Sequence, residues 1–186
     1  MRLALLLLAA LASGCGGDDT ERDRARADYR AYRAAEDART DVEHDLRRAV
    51  SSIGAAASER DRDGVIAAAT RGQAAADEIH RLLARELDAA AELTSFEPTS
   101  GAGMRLAAGL QTTRRGLEAV ESELAIAHED PFLDNEQNVA EIRRLARQVV
   151  ILSRDGELAI RRADRAIALE LGLDPRPDSM LEDGDG

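Results

Sequence analysis

Two pairs of potential metal ligands stand out in this chain. Asp41-x-x-His44 and Asp77-x-x-His80 each set a carboxylate and an imidazole one helical turn apart. Carboxylate-bridged di-metal bundles use that spacing, with Glu-x-x-His on two helices and one further Glu on each of the other two. The heights are compatible. Counting back from a turn near residue 60 sets position 80 roughly level with position 41, and counting on through two more turns reaches the neighbourhood of Glu118 and Glu141. The azimuths are not compatible. His44 lies two residues from both Val42 and Leu46, on the outward side of its helix, and His80 sits at the edge of its apolar stripe. Both pairs also carry Asp where the di-metal pattern carries Glu. The expectation is solvated helix histidines and no cofactor, with a metal centre on Asp41, His44, Asp77 and His80 as the alternative.

Other chemistry finds less support. No Cys-x-x-Cys-His is present for covalent haem attachment. Met104 would need a histidine at its own depth, and His128 falls at the opposite end of the same helix. Ser, His and acidic residues occur, but no glycine-flanked nucleophile does. Gly101 and Gly103 have neither the lysine nor the preceding strand of a phosphate loop. The chain reads as a non-enzyme.

The N-terminus carries the clearest signal. Arg2 supplies a positive end, Leu3 to Leu11 an apolar core, and Ala12, Ser13 and Gly14 residues small enough for a peptidase to grip. The apolar run falls well short of the ~20 residues that span a bilayer, so it reads as a cleaved segment over 1–14. Cys15 follows at once and is the only cysteine. The stretch Leu11-Ala-Ser-Gly-Cys15 resembles the lipobox of bacterial lipoproteins. That pattern prefers Leu three residues before the cysteine. Here Ala12 holds that place, with Leu11 one further back, and Gly16 follows the cysteine. The resemblance implies cleavage between Gly14 and Cys15, and acylation of Cys15 with palmitate-type chains. It also implies attachment to a membrane of the bacterial cell envelope on the extracytoplasmic side. It covers residues 1–15 and leaves the rest of the chain unassigned.

Composition narrows the partners. The net charge is −11, and all 25 basic residues are arginine. Residues 1–14 hold Arg2 and no acid, so their removal takes the charge to −12. An acidic body argues against nucleic acid and against binding anionic lipid by charge, which leaves the lipid on Cys15 as the membrane contact. Apolar residues make up 44% of the chain, but many are alanine, and alanine buries little area. The core should therefore be thin and long.

The rest of the chain reads as the scaffold. A short tether occupies 15–20, with Asp18 or Asp19 available to cap a first helix that runs to about Ser58. Its seam is Tyr32, Ala35, Arg39, Val42, Leu46, Ala49, Ile53 and Ala56, in alternating steps of three and four. Arg39 is the exception, expected to snorkel outward. Asp61 or Asp63 opens a second helix with the stripe Val65, Ala69, Gly72, Ala76, Ile79, Leu83, Leu87 and Ala90. Phe96 to Gly103 reads as a loop with Pro98, Gly101 and Gly103 as breakers, and within it Thr99 or Ser100 caps a third helix carrying Leu106, Leu110, Leu117 and Leu124. Asp134, with Gln137 three residues on, opens a fourth helix with the seam Val139, Ile142, Ala146, Val149, Ser153, Gly156, Ile160, Ala163 and Ile167. It ends at Leu171-Gly172-Leu173 in a Schellman pattern.

Nothing alternates with period two, so no sheet is expected. The expected fold is all-α: an elongated antiparallel up-down-up-down four-helix bundle with coiled-coil-like seams over 21–173, followed by an acidic disordered tail over 174–186. Parity places the loops at 58–64 and 129–134 at the end far from Cys15. The second of these holds Phe132 and Leu133 among acids, the pattern of a small docking tip for an envelope protein partner. The alternative for that pair is a plug folded into the end of the bundle. The function read from the sequence is a membrane-anchored scaffold, spacer or interaction module. The alternative is an extracytoplasmic small-ligand or metal-binding bundle, a sensor or carrier.

Overall fold

The structure, a computed structural model, describes residues 17–176. Cys15, the expected cleavage site at Gly14, the apolar N-terminus and residues 177–186 of the expected tail lie outside the described residues. Four helices account for nearly all of the rest: α1 (Gly17–Ser58), α2 (Arg62–Ser95), α3 (Glu97–Glu129) and α4 (Glu136–Glu170). They form an all-α, antiparallel four-helix bundle, and no strand occurs among the described residues. At about 1.5 Å per residue the 42 residues of α1 span roughly 63 Å.

Each turn has a local cause. Asp61 caps α2, its carboxylate accepting from the Gly64 N–H at 3.0 Å. Asn135, one residue later than expected, caps α4 and accepts from the Gln137 N–H at 2.9 Å. Phe96 alone joins α2 to α3. The third helix therefore starts earlier than expected, with Pro98 in its first turn, where a missing N–H costs nothing. Thr99 is not a cap. It is buried inside the helix and its hydroxyl donates to the Leu93 carbonyl at 2.6 Å. The end of α4 is a Schellman motif: Leu173 N–H reaches Ala168 O at 2.8 Å, Gly172 N–H reaches Leu169 O at 3.1 Å, and Gly172 has φ +67°. Residues 17–20, expected as tether, belong to α1.

The core is a narrow column. Tyr32, Ile79, Leu83, Leu93, Leu106, Leu110, Ile167 and Leu171 are its largest fully buried apolar side chains, with alanines between them. Each such side chain contributes about 1.5–3 kcal/mol when buried, and each alanine far less. Glycines let the backbones approach. A Cβ on Gly109 would lie 3.0 Å from the Ile160 nitrogen, and one on Gly156 would lie 2.7 Å from the Thr113 hydroxyl. Gly72 is likewise filled by Leu124, 2.7 Å from where its Cβ would stand. Gly72 and Gly156 thus mark close contacts and do not open an apolar cavity.

Close packing follows chain order: α1 on α2, α2 on α3, α3 on α4. The α1–α4 flank is different. It is bridged near the start of α1 by long polar side chains, and the far half of α4 is poorly covered. Ala146 and Ser153, expected in the seam, are exposed, and Leu145 is buried in their place. The covered face runs Ile142, Leu145, Val149, Leu152 and Gly156, a step of three from Ile142 where the expected seam took four, and this leaves Ala146 and Ser153 outside.

Candidate functional site

The densest chemistry is a buried polar layer between α1, α2 and α4. On the α1–α4 side, the Tyr29 hydroxyl donates to Asp164 Oδ1 at 2.8 Å. Arg33 Nε donates to that hydroxyl at 2.9 Å, and Arg33 Nη2 donates to Asp164 Oδ2 at 2.8 Å. The Arg33 guanidinium also lies over the Tyr29 ring, 4.9 Å from its centroid. Burial, then the hydrogen bond and charge of Asp164, raise the Tyr29 phenol well above its ordinary range. Tyr29 therefore stays a neutral donor.

On the α1–α2 side, Arg39 Nε donates to Glu86 Oε1 at 2.7 Å, and Arg39 Nη1 donates to Glu43. Glu86 is 0% exposed, and its second oxygen, Oε2, has no hydrogen-bond partner. Burial raises its carboxyl to about 7 against the pull of Arg39, and Glu36 and Glu43 add repulsion. Burial lowers the Arg39 guanidinium, but Glu86 and Glu43 together more than offset this, so Arg39 stays charged. The expectation that Arg39 snorkels is corrected: it is 7% exposed, because Glu86 supplies a partner inside the bundle.

Tyr32 lies between these groups. It is wholly buried and its hydroxyl has no partner. Burial first, then the charges of Glu36, Asp164 and Glu86, push its ionisation far out of reach. Glu36 lies 2.9 Å from Arg176 Nη1, an ion pair without hydrogen-bond alignment at its buried oxygen, and burial raises its carboxyl. No group here is both accessible and reactive. The layer can hold helices in register and carry a proton equilibrium, but it offers a substrate no reacting atom.

The alternative ligand set of Asp41, His44, Asp77 and His80 is not brought together. Asp41, His44 and Asp77 are exposed on their helices. His80 is half-buried and its Nε2 pairs with Glu121 Oε2 on α3 at 3.0 Å, beside Gln73. An open groove of ≈ 620 Å³ runs past this pair, lined by Leu83, Leu87, Asp88, Arg114 and Glu118 among others. Among the described residues no group of three or more His, Cys, Asp or Glu is placed to hold a metal ion.

At the far end, Phe132 and Leu133 are both half-buried. The Arg60 guanidinium of the α1–α2 turn lies over the Phe132 ring, 5.9 Å from its centroid. Asp130 organises the α3–α4 loop, accepting from the Asp134 and Asn135 N–H groups at 3.1 Å each and from the Asn138 amide at 3.0 Å. Those bonds, Asn138 first, hold its carboxyl below the ordinary range. Arg60 and Leu133 both take φ +54°, which the turns require of non-glycine residues.

Sequence reasoning missed Tyr29, Arg33, Glu86 and Asp164. The signal was present for one of them. A step of three from Leu83 lands on Glu86, which continues the stripe to Ala90 and Leu93, while the expected Leu87 is only half-buried. A buried arginine on the facing seam called for such a partner.

No helix among the described residues is long and apolar enough to cross a membrane. No protein-family model matches this chain, and no curated protein or solved structure shows similarity to it.

Proposed function

We propose that this chain is a lipid-anchored protein of a bacterial cell envelope, held by acyl chains on Cys15. Its helical body acts as a non-enzymatic spacer and interaction module. The apolar run, the small residues and Cys15 support the anchor. α1 begins two residues after Cys15, so its length of roughly 63 Å is the reach from membrane to far end.

The observation that carries the interaction role is the contact between Arg60 and Phe132. It ties the two far-end turns together, so the tip is preorganised and a partner need not order it. Phe132 is only half-buried and stands among acids, which suits a protein partner with an apolar contact and a basic rim. The test is photo-crosslinking in the native cell, with the probe at Phe132 and a control probe at the exposed His44, in chains with Cys15 intact or changed to Ser. One discrete adduct from Phe132 alone, dependent on Cys15, is the expected result. Equal capture at both positions, or capture indifferent to Cys15→Ser, would sink the tip or the anchor respectively.

A further inference from the structure

The net charge of −11 hides a segregation. Between Ile142 and Leu169, α4 carries seven arginines against Asp155, Glu157 and Asp164, so this stretch is +4 in an acidic chain. A helix turns about 100° per residue. On that count Arg143, Arg147, Arg154 and Arg162 share one outward sector with Ile151 and Leu158, opposite the buried Leu145, Gly156, Ile160 and Ile167. These four arginines are exposed and have no ion-pair partner among the described residues. The acids nearby are mostly spent. Glu157 pairs with Arg161, Glu43 with Arg39, Glu36 and Asp37 with Arg176, and Asp164 with Arg33. Asp41 and Asp155 border the face with no ion pair, two acids against four arginines. The same face exposes aliphatics: Ile151 is 59% exposed, Leu158 40% and Leu169 62%.

We propose that this outer face of α4 docks on a bilayer surface rich in acidic phospholipid. The arginines take headgroup phosphates, which a guanidinium can bind through two parallel N–H bonds. The aliphatics reach the acyl boundary, as on a helix lying in the membrane interface. The spacing favours lipid over a protein partner. Ile151 and Leu158 are about 10 Å apart, Leu158 and Leu169 about 16 Å, with arginines between them. A protein interface needs a contiguous core poor in charge, whereas a headgroup layer accepts such residues one at a time. A second copy laid α4 on α4 would set arginines against arginines. The acidic remainder does not prevent docking. Neighbouring helix axes stand about 8–10 Å apart and the Debye length is about 8 Å, so acids across the bundle are largely screened. The inference goes beyond the anchored reading and does not need acyl chains on Cys15. It adds a second posture: upright over neutral lipid, and laid along α4 over acidic lipid.

The test uses the full chain with Cys15→Ser and one new thiol carrying nitrobenzoxadiazole, at Ile151→Cys or, as control, at the exposed Ala74→Cys of α2, a helix with no close packing against α4. Vesicles are phosphatidylcholine alone or equimolar with phosphatidylglycerol, with or without doxyl-labelled lipid. Expected is a blue shift and doxyl quenching at position 151 on the acidic vesicles only, and neither at position 74. The apolar run Leu3–Leu11 can hold every variant to a vesicle, but only contact by α4 brings position 151 into lipid. One arginine near an acidic surface is worth about fivefold in binding, so Arg147→Gln with Arg154→Gln should shift the contact equilibrium at 151 about 25-fold toward release. Raised salt should release it too. No response at 151 on acidic vesicles, an equal response at 74, or an equilibrium unmoved by the two substitutions would each overturn the proposal. A shift at 151 produced without vesicles would also overturn it: by inorganic polyphosphate it would assign the face to a soluble polyanion, and by raised protein concentration to a second copy.

Discussion

Replacing Glu86 with Gln tests the central electrostatic claim. In the folded chain, burial holds the Glu86 carboxyl at about 7, above its ordinary 4.5. The folded state therefore binds this proton more tightly than the unfolded chain does. Stability from Glu86 is full below about pH 4.5 and is lost as pH rises through 7. The whole difference corresponds to about 3 kcal/mol. Gln keeps the shape and the acceptor for Arg39 Nε but does not titrate. At pH 5, where Glu86 is already protonated, Glu86→Gln should lie within about 1 kcal/mol of the parent. At pH 8 the variant should be the more stable by about 3 kcal/mol, or about 6–12 °C in Tm for a chain of this size.

The assay is urea unfolding of both chains at pH 5, 6, 7 and 8, comparing midpoints at equal m-values. Glu36 is raised by burial too, so the slope with pH should flatten in the variant without vanishing. The opposite outcome is well defined. If the Arg39–Glu86 attraction outweighed desolvation, removing the acid would leave a buried guanidinium short of charge and cost about 3–5 kcal/mol, most at pH 8. That result would refute the reasoning, because it requires Glu86 to be ionised more readily in the bundle than in water.

Two further expectations rest on packing and hydrogen bonding. Gly109→Ala should cost about 1–3 kcal/mol in urea unfolding, since its Cβ meets the Ile160 backbone and side chain, whereas Gly54→Ala meets nothing within 4 Å and should gain up to about 1 kcal/mol from helix propensity. Tyr29→Phe removes a buried donor to Asp164 and an acceptor for Arg33, and should cost about 1–3 kcal/mol; in a double-mutant cycle with Asp164→Ala the loss in the double variant should fall short of the sum of the two single losses, and full additivity would show that the bond carries no coupling.

The helices were legible because heptad spacing depends on neighbours along the chain, which a sequence displays. Asp61 as the α2 cap and Gly172 as the α4 stop were legible for the same reason: each acts within a few residues. The buried polar layer was not, because it depends on relative rotation of helices that the sequence sets far apart. Arg39 looked like a seam defect until Glu86 was found opposite it, and Glu86 was hidden because Leu87 beside it fits an apolar stripe better by residue type alone. The same ambiguity governs α4. Val149, Val150 and Ile151 are consecutive, so a helix can bury only some of them, and which ones depends on its rotation against α3. Gly109 and Gly156 set that rotation by bringing α3 and α4 into backbone contact. Val150 and Ile151 are then left outside, on the flank that the Arg176 segment approaches. Their exposure follows from the glycine contacts, so widening the α3–α4 spacing with Gly109→Ala should disturb the flank as well as the core.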